Sequence, residues 1–170
     1  MHDRQSRLQI YLADGTLLRL QPVSEPNMDD ASVIEFSLKA LRAINTYDYI
    51  NYRDQFQLAQ NYFTTTGWNA YLKNYESVGT IRAVTERKQI VSVRPDGAGK
   101  IVTTSRGPSG EHVWHVEIPA VISYNGHNNM SGGNTGSNKQ VGRAVFFVSR
   151  VPNTIHPDGV LLSSYGFILD

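Results

Sequence analysis

Hydrophobic residues in the first half of the chain recur at the three- and four-residue steps of amphipathic helices. Between positions 46 and 71 the recurring residues are mostly aromatic, and a run of three threonines interrupts them. The pattern predicts two short helices, the second starting near Gly67 and capped by Thr65 or Thr66. Such a dense aromatic surface needs a large apolar partner. The two helical faces comprise Tyr49, Tyr52, Phe56, Ala59 and Phe63, and then Trp68, Tyr71, Leu72 and Tyr75.

An earlier helix is predicted over residues 32–45, where two apolar stripes lie side by side. A stripe of that width indicates burial on more than one side. Residues 21–30 precede it as a linker, because two prolines and an Asp pair oppose regular structure. Asp29, Asp30 or Ser32 can cap the helix.

The hydrophobic period changes from about 3.6 to 2 after Gly79, which predicts strands. The strand segments are 86–94, 100–106, 111–124, 139–151 and 160–169. The turns that join them are too short for parallel crossovers, so the sheet is antiparallel, and we expect a meander. The predicted fold class is therefore α+β, with the N-terminal helices packed on one face of a curved antiparallel sheet.

Two of these strands differ in how apolar their faces are. In 111–124, one side carries Trp114, Val116, Ile118, Ala120 and Ile122. In 139–151 both sides are apolar, with Val145 and Phe147 on one and Ala144, Phe146 and Val148 on the other. A strand apolar on both sides is covered on both sides. The second cover is the N-terminal hairpin or another subunit, and the candidate protein-interface residues are Phe146, Val148, Tyr71 and Tyr75.

The chain ends and loops suggest two segments outside the main packing. Residues 7–20 alternate around Asp14 and Gly15 and predict a β-hairpin, read as an edge-closing element with a docking arm as the alternative. Residues 1–28 thus form a hairpin and linker before a domain at 29–170. The Gly- and Asn-rich stretch 125–138 is predicted to be a mobile tip, either a tolerated insertion or a partner-binding loop.

Composition excludes several classes of protein. The chain has 170 residues, 40% hydrophobic and 18% charged, which suits one globular domain. A net charge of +1 gives no general attraction to phosphates, and the basic residues near the first long strand are not interleaved with aromatics, so no nucleic-acid binding is expected. The absence of cysteine excludes disulfides and thiolate sites. No apolar run of membrane-spanning length occurs, so the chain is expected to be cytosolic or a soluble part of something longer.

Candidate chemistry is sparse. His112 and His115 are three apart on a strand and point to opposite faces, so no metal site is expected. No nucleophile-elbow or phosphate-loop motif occurs, and no cofactor is expected. The enzyme alternative is a cone-shaped pocket in which tyrosines and carboxylates serve as oxyanion donor and general base. Its candidates are Asp48, Asp54, Glu117, Tyr49 and Tyr52, and surface positions or core packing is the competing explanation.

Three separated blocks, in order, are similar to a known family. They read YDYINYRDQFQLAQNYFTTTGWNAYL, VWHVEIPAVISY and FFVSRVPNTIHPDGVLL. These blocks resemble the DotI/IcmL/TraM family of type IVB secretion systems and IncI-type conjugation machines, and the conjugative-plasmid member is the nearer resemblance. The resemblance covers roughly residues 30–168.

The resemblance implies a location and a role. Family members have one inner-membrane helix and a periplasmic domain with a nuclear-transport-factor-two-like, or cystatin-like, cone. That domain is non-catalytic and self-associates, and its partners are other channel subunits, including a shorter paralogue. This chain is then expected to be the periplasmic part, with its membrane helix absent, and to act as an assembly scaffold through protein contacts.

Overall fold

The computed structural model describes residues 8–11, 17–126 and 137–170, with side chains for 21–126 and 138–170. The predicted turn at Asp14 and Gly15 and most of the 125–138 loop lie outside these residues. The helices are α1 (Asp30–Ile44), α2 (Tyr52–Gln60), α3 (Thr65–Ser77) and α4 (Thr80–Glu86). The strands are β1 (Leu8–Tyr11), β2 (Leu17–Leu20), β3 (Tyr47–Asp48), β4 (Gln89–Pro95), β5 (Lys100–Arg106), β6 (His112–Gly126), β7 (Ser137–Arg150) and β8 (Val160–Leu169).

The helix caps follow the local sequence closely. The carboxylate of Asp29 accepts a hydrogen bond of 2.9 Å from the amide of Ser32, which confirms one of the predicted caps of α1. The cap of α3 is Thr64 rather than Thr65 or Thr66. Its extended backbone lets the hydroxyl accept from the amide of Gly67 at 3.0 Å.

Helix α4 corrects the sequence analysis, which placed the change to strand period directly after Gly79. Gly79 has a φ of 74°, a left-handed conformation that ends α3 and lets a new helix begin. Val84 is completely buried and fixes this short helix to the domain. The strand itself begins only at Gln89.

The sheet is antiparallel throughout, as predicted, but it is not a simple meander. Its strand order is β3-β4-β6-β7-β8, and β5 also pairs with β6. β6 has 15 residues, so its C-terminal half pairs with β4 and its N-terminal half with β5. The strongly curled sheet and the helices against it confirm the α+β fold class.

The core lies between the helices and the concave face of the sheet. Trp114, Val116 and Ile118 of β6 share this face with cross-strand neighbours on β7 and are at most 2% exposed. Helix α3 comes so close to β8 that a Cβ at Gly67 would lie 2.7 Å from the carbonyl oxygen of Leu162. The strands β1 and β2 pair antiparallel, as the predicted hairpin requires.

Candidate interaction surfaces

Aromatic side chains fill the hollow of the curled sheet. The ring of Phe56 on α2 lies 5.1 Å from Tyr47, 5.4 Å from Tyr75 and 6.4 Å from Trp68, in each case edge to face. Tyr71 on α3 continues the cluster, with its ring 5.7 Å from that of Tyr165 on β8. Edge-to-face contacts of this kind add to the stability gained from burial. Phe56, Trp68, Tyr71 and Tyr75 thus pack the cone from the helices on which they were predicted. The prediction of one helical face from Tyr49 to Phe63 was wrong at both ends, because α2 begins only at Tyr52 and ends at Gln60.

The phenols in this cluster are held in their neutral form. Burial is the main cause that raises the pKa of five tyrosines, which are Tyr47, Tyr71, Tyr75, Tyr124 and Tyr165. The hydroxyl groups of Tyr47 and Tyr75 bond each other, and Asn45 donates to the hydroxyl of Tyr165 at 2.9 Å. Tyr47, Tyr75 and Tyr165 are therefore packing groups whose polar tips are satisfied.

The carboxylates considered for a general base do not converge. Asp48 accepts from the amides of Ile50 and Asn51 at 2.8 and 2.9 Å, and the bond from Asn51 is the first cause that lowers its pKa. It therefore braces the turn before α2 as an ionised group. Asp54 is exposed on α2. Glu117 lies on the opposite side of the sheet, so the three candidates occupy separate places.

The two strand histidines point to opposite faces, as their spacing predicts. The ring of His112 lies 4.5 Å from Trp114, and burial is the main cause that lowers the pKa of His112. The ring of His115 stacks 4.8 Å from Phe147 on the other face. Among the residues with described positions, no group of three histidine, aspartate or glutamate side chains could hold a metal ion.

The four candidate interface residues from the sequence lie mainly in the domain's own core. Phe146 and Val148 point to the concave face and have no exposed surface, and Tyr75 is 9% exposed. Tyr71 is half-buried between aromatic neighbours on α3 and β8. Because this chain's own helices cover them, Phe146 and Val148 have no free surface to offer a docking partner.

The convex face of β7 carries the side chains that remain accessible. Val145 and Phe147 are half-buried there, and Val141 and Ile168 are each 47% exposed. Ile168 sits directly across from Arg143, and Gly166 across from Val145. A Cβ at Gly166 would meet no atom within 4 Å, so this point of the surface is open. We name the set of Val141, Arg143, Val145, Phe147 and Ile168 the outer-face patch.

Charged groups border the outer-face patch on the β6 side. Nη1 of Arg143 lies 3.1 Å from Oε1 of Glu117, whose Oε2 lies 3.2 Å from Nε2 of His115. The latter pair is in ionic range, but Nε2 of His115 makes no well-oriented hydrogen bond to any described group. Apolar residues beside a partly satisfied polar rim are the composition found at protein interfaces.

The helical side of the domain presents a second, more polar surface. An open groove of about 740 Å³ runs between α1, α2 and the loop from β7 to β8. Its lining includes the apolar side chains of Met28, Phe36 and Tyr62 and the charged side chains of Lys39 and Asp158. A second groove of about 520 Å³ shares two of its lining residues, Asn61 and His156.

A sequence model of type IVb secretion system proteins, described as an inner-membrane complex component, matches residues 1–165. The chain belongs to the DotI/IcmL family. The match includes the N-terminal hairpin as well as the three blocks that carry the resemblance. A direct comparison with curated protein sequences gives no match.

Solved structures of this family share the fold. The periplasmic domain of DotI superposes with a TM-score of 0.76 at 24% identity, over 86% of this chain and 99% of that one. A periplasmic fragment of TraM gives 0.69 at 18% identity, over 82% and 97% of the two chains. An IcmL-like type IV secretion protein from Legionella pneumophila gives 0.70 at 20% identity, over 85% and 96%. That the conjugative member is the nearer relative stays a prediction.

The chain is therefore a type IV secretion system component with the α+β fold seen in these relatives. Within the described part of the chain, no helix is long and apolar enough to cross a membrane.

Proposed function

We propose that this domain is a non-enzymatic assembly component of a type IVb secretion or conjugation channel and acts through protein contacts in the periplasm. The observation that carries the proposal is the contrast between the two faces of β7. Its concave face is filled by the chain's own helices, whereas its convex face keeps the outer-face patch. A filled hollow offers contact surface rather than a reaction chamber.

The proposed location and partners rest on the family. The family is described as an inner-membrane complex component, and two solved relatives are described as periplasmic. We infer that the full-length protein is anchored in the bacterial inner membrane and that the domain at 29–170 lies in the periplasm, with 1–28 as hairpin and linker. Its partners are further copies of itself and other channel subunits, including a shorter paralogue.

Charge insertion in the outer-face patch tests the proposal. The variant Val141→Glu/Ile168→Glu places two carboxylates on half-exposed positions, where they leave the core intact but oppose an apolar contact. The matched control is Val102→Glu, which alters a strand residue that is 45% exposed on β5, a strand that β6 separates from β7. Circular dichroism verifies that all variants fold.

Light scattering of the purified chain and cross-linking of a membrane-anchored form in cells measure assembly. We expect the patch variant to lose oligomers and cross-links to channel subunits, while Val102→Glu assembles like the unaltered protein. If the unaltered protein is strictly monomeric both as the purified chain and in its membrane-anchored form, self-association is contradicted. A patch variant that assembles normally shows that another surface makes the contact.

A further inference from the structure

Arg150, the last residue of β7, is a buried cation without a carboxylate partner. Only 2% of its surface is exposed, and none of the ion pairs found among the described residues includes it. Burial lowers the pKa of its guanidinium, yet an arginine remains charged at neutral pH. Such a charge is costly to bury unless hydrogen bonds satisfy it completely.

Backbone carbonyl groups accept the hydrogen bonds that this buried charge requires. A guanidinium has five N–H donors, and five carbonyl oxygens face this one. Nη1 donates to Val151 at 2.8 Å and to Gly159 at 2.6 Å, both in the loop from β7 to β8. The other three carbonyls belong to the linker before α1. Nε donates to Glu25 at 3.0 Å, and Nη2 to Gln21 at 3.2 Å and Pro22 at 3.5 Å.

Two segments that are far apart in sequence thus supply the five carbonyl acceptors of one guanidinium. We call residues 21–25 the strap and residues 151–159 the β7–β8 loop. If either segment leaves, the guanidinium keeps its charge but loses part of its hydrogen bonds. The remaining segment then packs against an incompletely paired charge, and this destabilises it. The arrangement makes the two segments energetically dependent on each other.

Neighbouring contacts strengthen the same junction. The amide of His112 donates to the carbonyl of Val23 at 2.8 Å, and Nδ2 of Asn27 donates to the carbonyl of Asp158 at 2.9 Å. Gly159 has a φ of 68°, and a Cβ there would lie 2.8 Å from both Nη1 of Arg150 and Nδ2 of Asn27. The left-handed backbone and the close approach to the guanidinium both favour glycine at this position.

We propose that Arg150 is a latch that holds the strap and the β7–β8 loop as one cooperative unit, so that lifting the strap also releases the loop. The loop carries His156, which lines both grooves on the helical side. The position of the chain that precedes the domain is thereby coupled to the shape of that surface. The inference stands on these contacts and holds whether or not the proposed assembly function is correct.

Hydrogen exchange of the whole 170-residue chain, followed by mass spectrometry, tests the latch. In Arg150→Lys, an ammonium with three donors replaces a fork that serves five carbonyls. We expect the amides of His112 and Glu25, which report on the strap, and of Val151 and Gly159, which report on the loop, to exchange at least about tenfold faster. Amides in the middle of β7 should keep their protection.

Two further variants separate a latch from two independent contacts. Gly159→Ala crowds Nη1 of Arg150 from the loop side, and none of the atoms nearest the new Cβ belongs to the strap. We expect the amide of Glu25 to exchange faster as well, because the guanidinium transmits the disturbance. Arg106→Gln removes exposed 3.1 Å contacts to the carbonyls of Ser24, in the strap, and Gly110, and we expect the loop amides of Val151 and Gly159 to exchange faster along with the strap. Unchanged exchange at Glu25 in Gly159→Ala overturns the proposal.

The unaltered chain provides a test that does not depend on how the variants fold. Exchange measured at low denaturant concentrations gives an opening free energy and a denaturant dependence for each protected amide. A single latch predicts the same two values for the strap and the loop. Different values for the two segments overturn the coupling.

Discussion

Replacing Gly67 with alanine is expected to destabilise the domain, although alanine is the better helix former. Gly67 lies in the first turn of α3, where α3 meets β8. A Cβ at this position would lie 2.7 Å from the carbonyl oxygen of Leu162 and 3.0 Å from that of Ser163. Both obstacles are backbone atoms of a strand in the sheet, so neither can rotate away.

The expected loss of stability is the balance of one contribution that favours alanine and two that disfavour it. Alanine in place of glycine favours a helix by about 1 kcal/mol. Overpacking against a rigid neighbour costs about 1–3 kcal/mol. Moving α3 away also weakens the hydrogen bonds from the Thr64 amide to Leu162 at 2.9 Å and from the Leu162 amide to Tyr62 at 2.7 Å. Each such bond contributes about 1 kcal/mol, so the net loss is about 2 kcal/mol.

Urea unfolding followed by circular dichroism measures this loss. For a chain of this size, about 2 kcal/mol also corresponds to a melting temperature lower by roughly 4–8 °C. Asn69→Ala is the control, because Asn69 is exposed in the same helix and should gain slightly in stability. If Gly67→Ala is as stable as the unaltered protein, the close approach of α3 to β8 is not what requires glycine.

Two predictions concern polar groups near the aromatic cluster. Tyr47→Phe removes the hydroxyl partner of Tyr75 and should cost about 1–3 kcal/mol in urea unfolding, because a buried phenol is left unpaired. Changing both tyrosines should cost less than the sum of the single changes, and strict additivity contradicts the pairing. For Asp48, hydrogen bonds lower the pKa in the folded state, so its stabilisation is fully present above the ordinary pKa of an aspartate and is lost as the pH falls through the lowered pKa of the folded state. Asp48→Asn should therefore be less stable at pH 7, and unfolding curves should show this difference shrinking at acidic pH; a constant difference contradicts the assignment.

Most of the strands could be predicted because their signals are local. The segment 160–169 matches β8 residue for residue, since alternation and flanking turn residues mark both ends. The missed elements are those that tertiary contacts decide. β3 has two residues and exists because Tyr47 pairs with Val91. α4 has seven residues, too few for periodicity to identify, and is held by the burial of Val84.

The environment of Arg150 lay beyond sequence reasoning for a different reason. An arginine at the end of an apolar strand looks like a solvated strand terminus, because arginines are rarely buried without an ionic partner. Its partners here are backbone carbonyl groups. Every residue carries one, so the sequence does not indicate which carbonyls accept hydrogen bonds from Arg150. Only the fold brings residues 21–25 beside residues 151–159.

The placement of the accessible face of β7 depended on one unknown, the register against β6. Alternation shows that Phe146 and Val148 share a face, but not whether that face is the one shared by Trp114 and Val116. A register shift of one residue exchanges the two faces of a strand. The sequence between the two predicted strands is too long for its length to fix the register. The observed pairing of Val116 with Phe146 puts Phe146 inside and leaves its neighbours Val145 and Phe147 on the convex face.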